Sequence, residues 1–178
     1  MRNKKRTYLH PYGDQENAKV IIIGDQPDRA DLTYGRPFMG QIGNDLDSCL
    51  QGAKITRSEC YFTNVVKDLD LPLEHYIRFT NKGPIISDDG NAYVKELGEE
   101  LKQVKANLII ALGPEALFAC CDRLGIQKWR GSILKSTLCD KTVIPTFHPN
   151  TLGFKKGSQF LNKHCIVFDM KRAKTIMS

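Results

Sequence analysis

The chain has 178 residues, 41% of them hydrophobic and 26% charged, which suits one soluble domain large enough for a real core. No run approaches the ~20 apolar residues that span a bilayer, so a membrane protein is excluded. The net charge of +6 and pI near 9.0 fit a polyanionic partner such as nucleic acid.

Residues 1–17 read as a basic, mobile arm that settles near the first strand. The opening Met1-Arg2-Asn3-Lys4-Lys5-Arg6 has no apolar stretch behind it, so it is no secretory signal and a cytoplasmic home is expected. Strand one falls at 18–23, where Val20-Ile21-Ile22-Ile23 is a β-branched run. It stops at Gly24, and Pro27 forbids a further ladder hydrogen bond. Residues 24–43 read as a long Gly- and Pro-rich loop of functional character. A helix is expected from Asn44, with Leu46, Cys49, Leu50 and Ala53 at helical spacing. The second strand falls at 58–67 and is broken near its end by Asn64.

The stretch 68–91 is the least regular and is expected to cover one face of a site. A helix at 92–105 carries the stripe Val94, Leu97, Leu101 and Val104. A buried strand at 107–113 ends in Gly113, and Pro114 opens a helix running to Leu124 with Gly125 as its cap. Short strands are expected at 133–137 and 141–144. The chain ends in a helix, 158–178, with Phe160, Leu161, Ile166, Val167 and Met170 on one side. Alternating strands and helices imply a three-layer α/β/α sandwich around a central, mainly parallel four-stranded sheet, as a single domain.

Two strand ends carry chemistry. Asp25 follows the first apolar run, and His148 follows Val143-Ile144-Pro145-Thr146-Phe147. Ligands of open α/β sheets bind at that edge. Asp25 is equally suited to capping a turn. The six cysteines form no CxxC pair and read as free thiols, with no metal site in their spacing.

Taken in order, the motifs resemble the uracil-DNA glycosylase superfamily, closest to its family-4 type and the phage-polymerase-related branch. They stand here as Gly24-Asp25-Gln26-Pro27-Asp28, Gly35-Arg36-Pro37-Phe38-Met39-Gly40, Thr63-Asn64-Val65-Val66-Lys67, Ala111-Leu112-Gly113, Arg130-Gly131 and His148-Pro149-Asn150-Thr151-Leu152. The resemblance implies a monofunctional glycosylase that hydrolyses the bond between uracil and deoxyribose in a flipped nucleotide. Asp25 would position water, and His148 would stabilise the departing base. Gly24, Gln26, Pro27 and Asp28 would line the pocket, Phe38 would stack on the base and Asn64 would read its edge. Gly40, Gly43, Lys67, Arg130, Gly131 and Asn150 would meet the DNA backbone, with Leu152 as a wedge.

Family-4 enzymes carry a four-iron cluster on four cysteines. Here no cysteine precedes Cys49, Asp68 stands at the third position and Tyr93 near the fourth, so no cofactor is expected. Asp25 replaces the family's glutamate. Asp28 replaces its glycine, and a 5-hydroxymethyl group on uracil is a chemically suited partner for that carboxylate. A monomer acting on DNA is the expectation. The alternative is a degenerate glycosylase fold that binds DNA or a replication protein. A flavin or nucleotide binder is disfavoured, because no G-x-G-x-x-G follows a strand.

Overall fold

The computed structural model describes residues 7–152 and 158–177, and of 158–160 the backbone only. The elements are β1 (Val20–Gly24), α1 (Arg29–Tyr34), α2 (Gly40–Gly52), β2 (Cys60–Asn64), α3 (Leu73–Tyr76), β3 (Ile77–Thr80), β4 (Gly83–Ile86), α4 (Asp88–Gln103), β5 (Leu108–Leu112), α5 (Gly113–Cys121), α6 (Ile126–Trp129), β6 (Leu134–Lys135), β7 (Thr142–Thr146) and α7 (Ser158–Ile176). Single 3₁₀ turns at Arg57–Glu59 and Pro149–Leu152 lead into β2 and follow His148.

The main sheet runs in the order β2-β1-β5-β7-β6. Its first four strands are parallel, and β6 joins β7 antiparallel. The sheet is therefore five-stranded, one strand more than the sequence pattern implies. The extra strand, β6, lies within the short stretch 133–137 read as a strand and adds to the edge of the sheet antiparallel to β7.

Side chains alternate across a strand, so each apolar run feeds two cores. Ile21 and Ile23 pack with Leu97 and Leu101 of α4 and Ala116 and Leu117 of α5. Val20 and Ile22 pack with Leu46 and Leu50 of α2 and Ile166 and Met170 of α7. Helices on both faces make the three layers. Of the stripe expected on the last helix, Ile166 and Met170 are buried, Leu161 is exposed, and the Phe160 side chain lies outside the described residues.

Several boundaries differ from the sequence reading, each for a local reason. The 24–43 stretch holds the helix α1, started by a reciprocal cap between Asp28 and Asp31. Helix α2 begins at Gly40 rather than Asn44. Helix α5 stops at Cys121 with Asp122 left-handed at its end, while Gly125 opens α6 instead. Aspartate tolerates that conformation, so the expected glycine cap is not needed. The irregular 68–91 stretch folds into α3 and the β3–β4 hairpin.

The arm lies along β2 and not along β1, because β2 is the edge strand. Tyr12 makes an antiparallel bridge to Phe62, and the Leu9 amide donates to the Lys67 carbonyl at 2.7 Å. An exposed edge of unpaired backbone is thus covered. All six cysteines are free thiols. No helix among the described residues is long and apolar enough to cross a membrane.

A buried ion pair ties α7 to the turn before β6. Arg130 grips Asp169 with Nη2–Oδ1 at 2.7 Å and Nε–Oδ2 at 3.1 Å, and Thr146 donates its hydroxyl to the same carboxylate at 2.6 Å. Asp169→Ala strands the Arg130 charge and the Thr146 hydroxyl in a place with little water. It should lower stability by about 3 kcal/mol, read as a reduced urea midpoint with unchanged slope.

Candidate active site

Parallel strands deliver their ends to one edge of the sheet. Gly24 and Asn64 are register partners at the ends of β1 and β2, and Asp25 follows Gly24 directly. The His148 side chain arrives two residues beyond β7. A side chain on Gly24 has no room: its Cβ would stand 2.5 Å from Asn64 Oδ1 and 2.7 Å from Phe38 Cζ. The bare glycine thus lets an amide and an aromatic ring close together over a strand end. They border a cavity of about 430 Å³ whose wall also includes Asp25, Pro27, His148 and Asn150. Leu69 and Leu73, from the stretch after β2, close another side.

The acid and the imidazole meet across this cavity. Asp25 Oδ1 accepts the Gln26 amide at 2.6 Å and lies 3.5 Å from His148 Nε2. The Asn150 amide donates to His148 Nδ1 at 3.0 Å. That bond makes Nδ1 an acceptor, so the neutral ring carries its proton on Nε2. His148 is 6% exposed and its ring centre lies 6.5 Å from that of Phe38. The arrangement presents an N–H donor, a carboxylate, an amide and an aromatic face to one space.

Two further carboxyls shape the field. Glu115 stands at the start of α5, and a Cβ on Gly113 would lie 3.9 Å from both its Oε2 and His148 Cδ2. Burial pushes the Glu115 carboxyl up to about 7, and the Asp25 charge adds to the rise. Asp31 is 5% exposed, and burial raises its carboxyl to about 6 against the opposing pull of backbone amides.

The uracil DNA glycosylase superfamily model matches residues 10–167. The chain belongs to the uracil-DNA glycosylase superfamily. Its class of chemistry is that of a DNA glycosylase, a hydrolase. Over 163 residues it is 28% identical to the type-4 uracil-DNA glycosylase of Thermotoga maritima, covering 90% of this chain and 79% of that protein. The type-4 uracil-DNA glycosylase of Archaeoglobus fulgidus is 26% identical over 111 residues, 62% of this chain and 51% of that protein. That of Sulfurisphaera tokodaii is 25% identical over 152 residues, 81% and 65% of the two chains. The chain thus spans about half to four fifths of these relatives.

Asp25, Phe38, Asn64 and His148 border one cavity, with Gln26, Pro27, Asp28 and Asn150 also in its wall and Gly24 against Asn64 and Phe38. Gln26 also serves as a latch, its amide nitrogen donating to the Asp68 and Leu71 carbonyls at 3.0 and 2.8 Å. Asp28 lines the cavity, but one of its oxygens accepts the Asp31 amide at 2.9 Å.

Four expected backbone-phosphate contacts are corrected. Lys67 is 1% exposed; its Nζ meets Glu100 at 2.7 Å and donates to Thr63 Oγ1 and the Asn64 carbonyl, both at 2.6 Å. It supports Asn64 from beneath and cannot touch DNA. Arg130 is held by Asp169 and the Cys165 carbonyl. The Gly131 amide is donated to Pro145 at 2.8 Å, and that of Gly43 to Met39 at 3.2 Å. Gly40 is the first residue of α2, and Leu152 packs, partly buried, against the α2–α7 core.

Sequence reasoning missed Asp31, Glu115 and Arg57. A signal for the first exists in Asp28-Arg29-Ala30-Asp31, an acidic capping pair at the right spacing. For Glu115 the folded state holds the proton more tightly than the unfolded chain. Its stabilising contribution is therefore full at acid pH and is lost as pH rises through about 7. Glu115→Gln should melt with little change at pH 5 and at a higher temperature than the parent at pH 8, as read by thermal unfolding at both pH values.

Proposed function

We propose that this chain removes uracil from DNA by hydrolysing the N-glycosidic bond of a nucleotide turned out of the stack. The observation that carries the reading is the single cavity shared by Asp25 and His148, with their 3.5 Å approach and the Nε2 proton set by the Asn150 amide. The base would lie on the Phe38 ring, with Asn64 offering its amide to the base edge. His148 Nε2–H would donate to the carbonyl oxygen on which charge grows as the base leaves as an anion.

Oδ1 of Asp25 is engaged, and Oδ2 carries no protein hydrogen bond among the described residues. It would hold a water for attack at the sugar carbon and offset the positive charge there. The water oxygen bonds to that carbon as the bond to the base breaks. One water proton leaves to Asp25 and from there to the base anion. The 13-residue helix α2, starting at Gly40, turns its positive end toward this region and suits a phosphate. Leu152 would fill the gap left by the base. The free oxygen of Asp28 would accept a hydrogen bond from a 5-hydroxymethyl substituent.

We infer also that the chain works without an iron–sulfur cluster. Asp68 and Tyr93 stand where the resemblance calls for the third and fourth cysteines. The Asp68 carboxylate is buried and accepts hydrogen bonds from the hydroxyls of Tyr93 and Tyr76, the latter at 2.5 Å. Neither residue offers a thiolate, and the space is filled by their own hydrogen bonds. Iron analysis of anaerobically purified protein should find none.

The purified protein, without added metal, should convert a single-uracil oligonucleotide into an alkali-labile abasic product. Asp25→Asn and His148→Ala should each lower the single-turnover rate by about 10²–10³-fold. Run on 5-hydroxymethyluracil, the same assay tests Asp28: Asp28→Gly should shift the preference back toward uracil. Salt-sensitive binding with no product would instead leave a DNA-binding module.

A further inference from the structure

Phe38 is built in a conformation that side chains seldom take. Its φ is +58°, and the other non-glycine residues with positive φ among the described residues, Lys54 and Asp122, lie just past helix ends. A left-handed residue is common there. Phe38 instead sits before a helix, one residue ahead of Met39, the cap of α2. An aromatic held left-handed away from a helix end requires surroundings that impose it.

Those surroundings converge on one peptide group, that between Phe38 and Met39. Its N–H, on Met39, donates to Asp31 Oδ1 at 2.7 Å. Its C=O, on Phe38, accepts Arg57 Nη2 at 2.9 Å, and the same nitrogen donates to the Pro37 carbonyl at 3.1 Å. Gripping both ends of this peptide fixes its plane, and the hold of Arg57 on the Pro37 carbonyl fixes the plane before it, so the φ and ψ of Phe38 between the two planes are set.

Each grip is itself anchored. Asp31 accepts the Asp28 amide at 3.1 Å, so it is tied to the start of α1 beside Asp25. Arg57 meets Asp47 of α2 at 2.5 Å, and its guanidinium lies 4.5 Å above the Phe62 ring. Phe62 in turn touches Phe38, with ring centres 5.9 Å apart. Gly43 of α2 comes so close to the Phe38 carbonyl that any Cβ there would collide with it.

We propose that Asp31 and Arg57 are positioning residues for catalysis, which clamp the Phe38–Met39 peptide so that the Phe38 ring stands ready as the stacking wall before DNA arrives. This rests on the reading of the cavity as a pocket for a flipped base. Arg57 lies outside the cavity lining and Asp31 stands in its wall, and both hold the peptide that carries Phe38. The planar guanidinium holds both carbonyls with Nη2 and Asp47 with Nη1 at once, a spread that a single ammonium on a flexible stem does not reproduce.

The experiment is a double-mutant cycle on single-turnover uracil excision, with thermal midpoints measured for every variant. Arg57→Gln and Asp31→Asn are made in the parent and in Phe38→Ala; Arg57→Lys serves as the milder variant should Arg57→Gln fold poorly. In the parent, each is expected to lower excision about ten- to hundredfold, and Arg57→Lys to recover only part of it. In Phe38→Ala the same changes should have little effect, because the ring they orient is gone. Equal losses in both backgrounds, or losses that merely track the thermal midpoint, would overturn the clamp. An inert parent protein would instead mark the failure of the glycosylase reading itself, and the clamp would fall with it.

Discussion

Parallel pairing of β1 with β2 and β5, and of β5 with β7, is the constraint from which the site follows. Parallel strands must be joined by crossovers, so every strand of the set leaves the sheet at the same edge. Residues 25, 64, 113 and 148 are far apart in the chain, yet each lies at a strand end or within two residues of it. Ile21–Ile23 and Val143–Ile144 thus build the core and also determine where the carboxylate and the imidazole emerge. The two tasks cannot be separated, because a slip of one residue would exchange the side chains that feed the two cores and shift the functional group along the edge.

Around and beneath the edge lies a layer of buried and half-buried polar groups that hold its geometry. Lys67 holds the Asn64 carbonyl, Gln26 holds the 68–71 backbone, the Asn150 amide orients His148, and Asp31 and Arg57 hold the loop of Phe38. Burial works against the charge on several of them: Lys67 is pushed down from its ordinary range, while Asp31 is pushed up. Such groups lower stability relative to a fully apolar packing, and what they supply is a fixed geometry at the edge.

The segment after β2 follows the same logic by different means. Where the resemblance calls for cysteines, the Asp68 carboxylate joins Tyr76 of α3 and Tyr93 of α4. One carboxylate between two hydroxyls ties together the segment after β2, α3 and α4. The tie keeps Leu69 and Leu73 at the cavity wall.

By itself, the sequence determined the layers, the parallel strands of the main sheet and four of the residues that border the cavity. Those features are local: β-branched runs, prolines that stop strands, and motifs of contiguous residues. Tertiary structure alone decided which charges stay at the surface and which are paired inside the fold. Lys67 and Arg130 look like surface cations in the sequence, because their partners Glu100 and Asp169 lie 33 and 39 positions away and no local pattern announces them. The left-handed turn at Phe38 is hidden for the same reason: Arg57 imposes it from 19 residues further along the chain. Burial and pairing are properties of contacts between distant segments, and only the closed chain creates them.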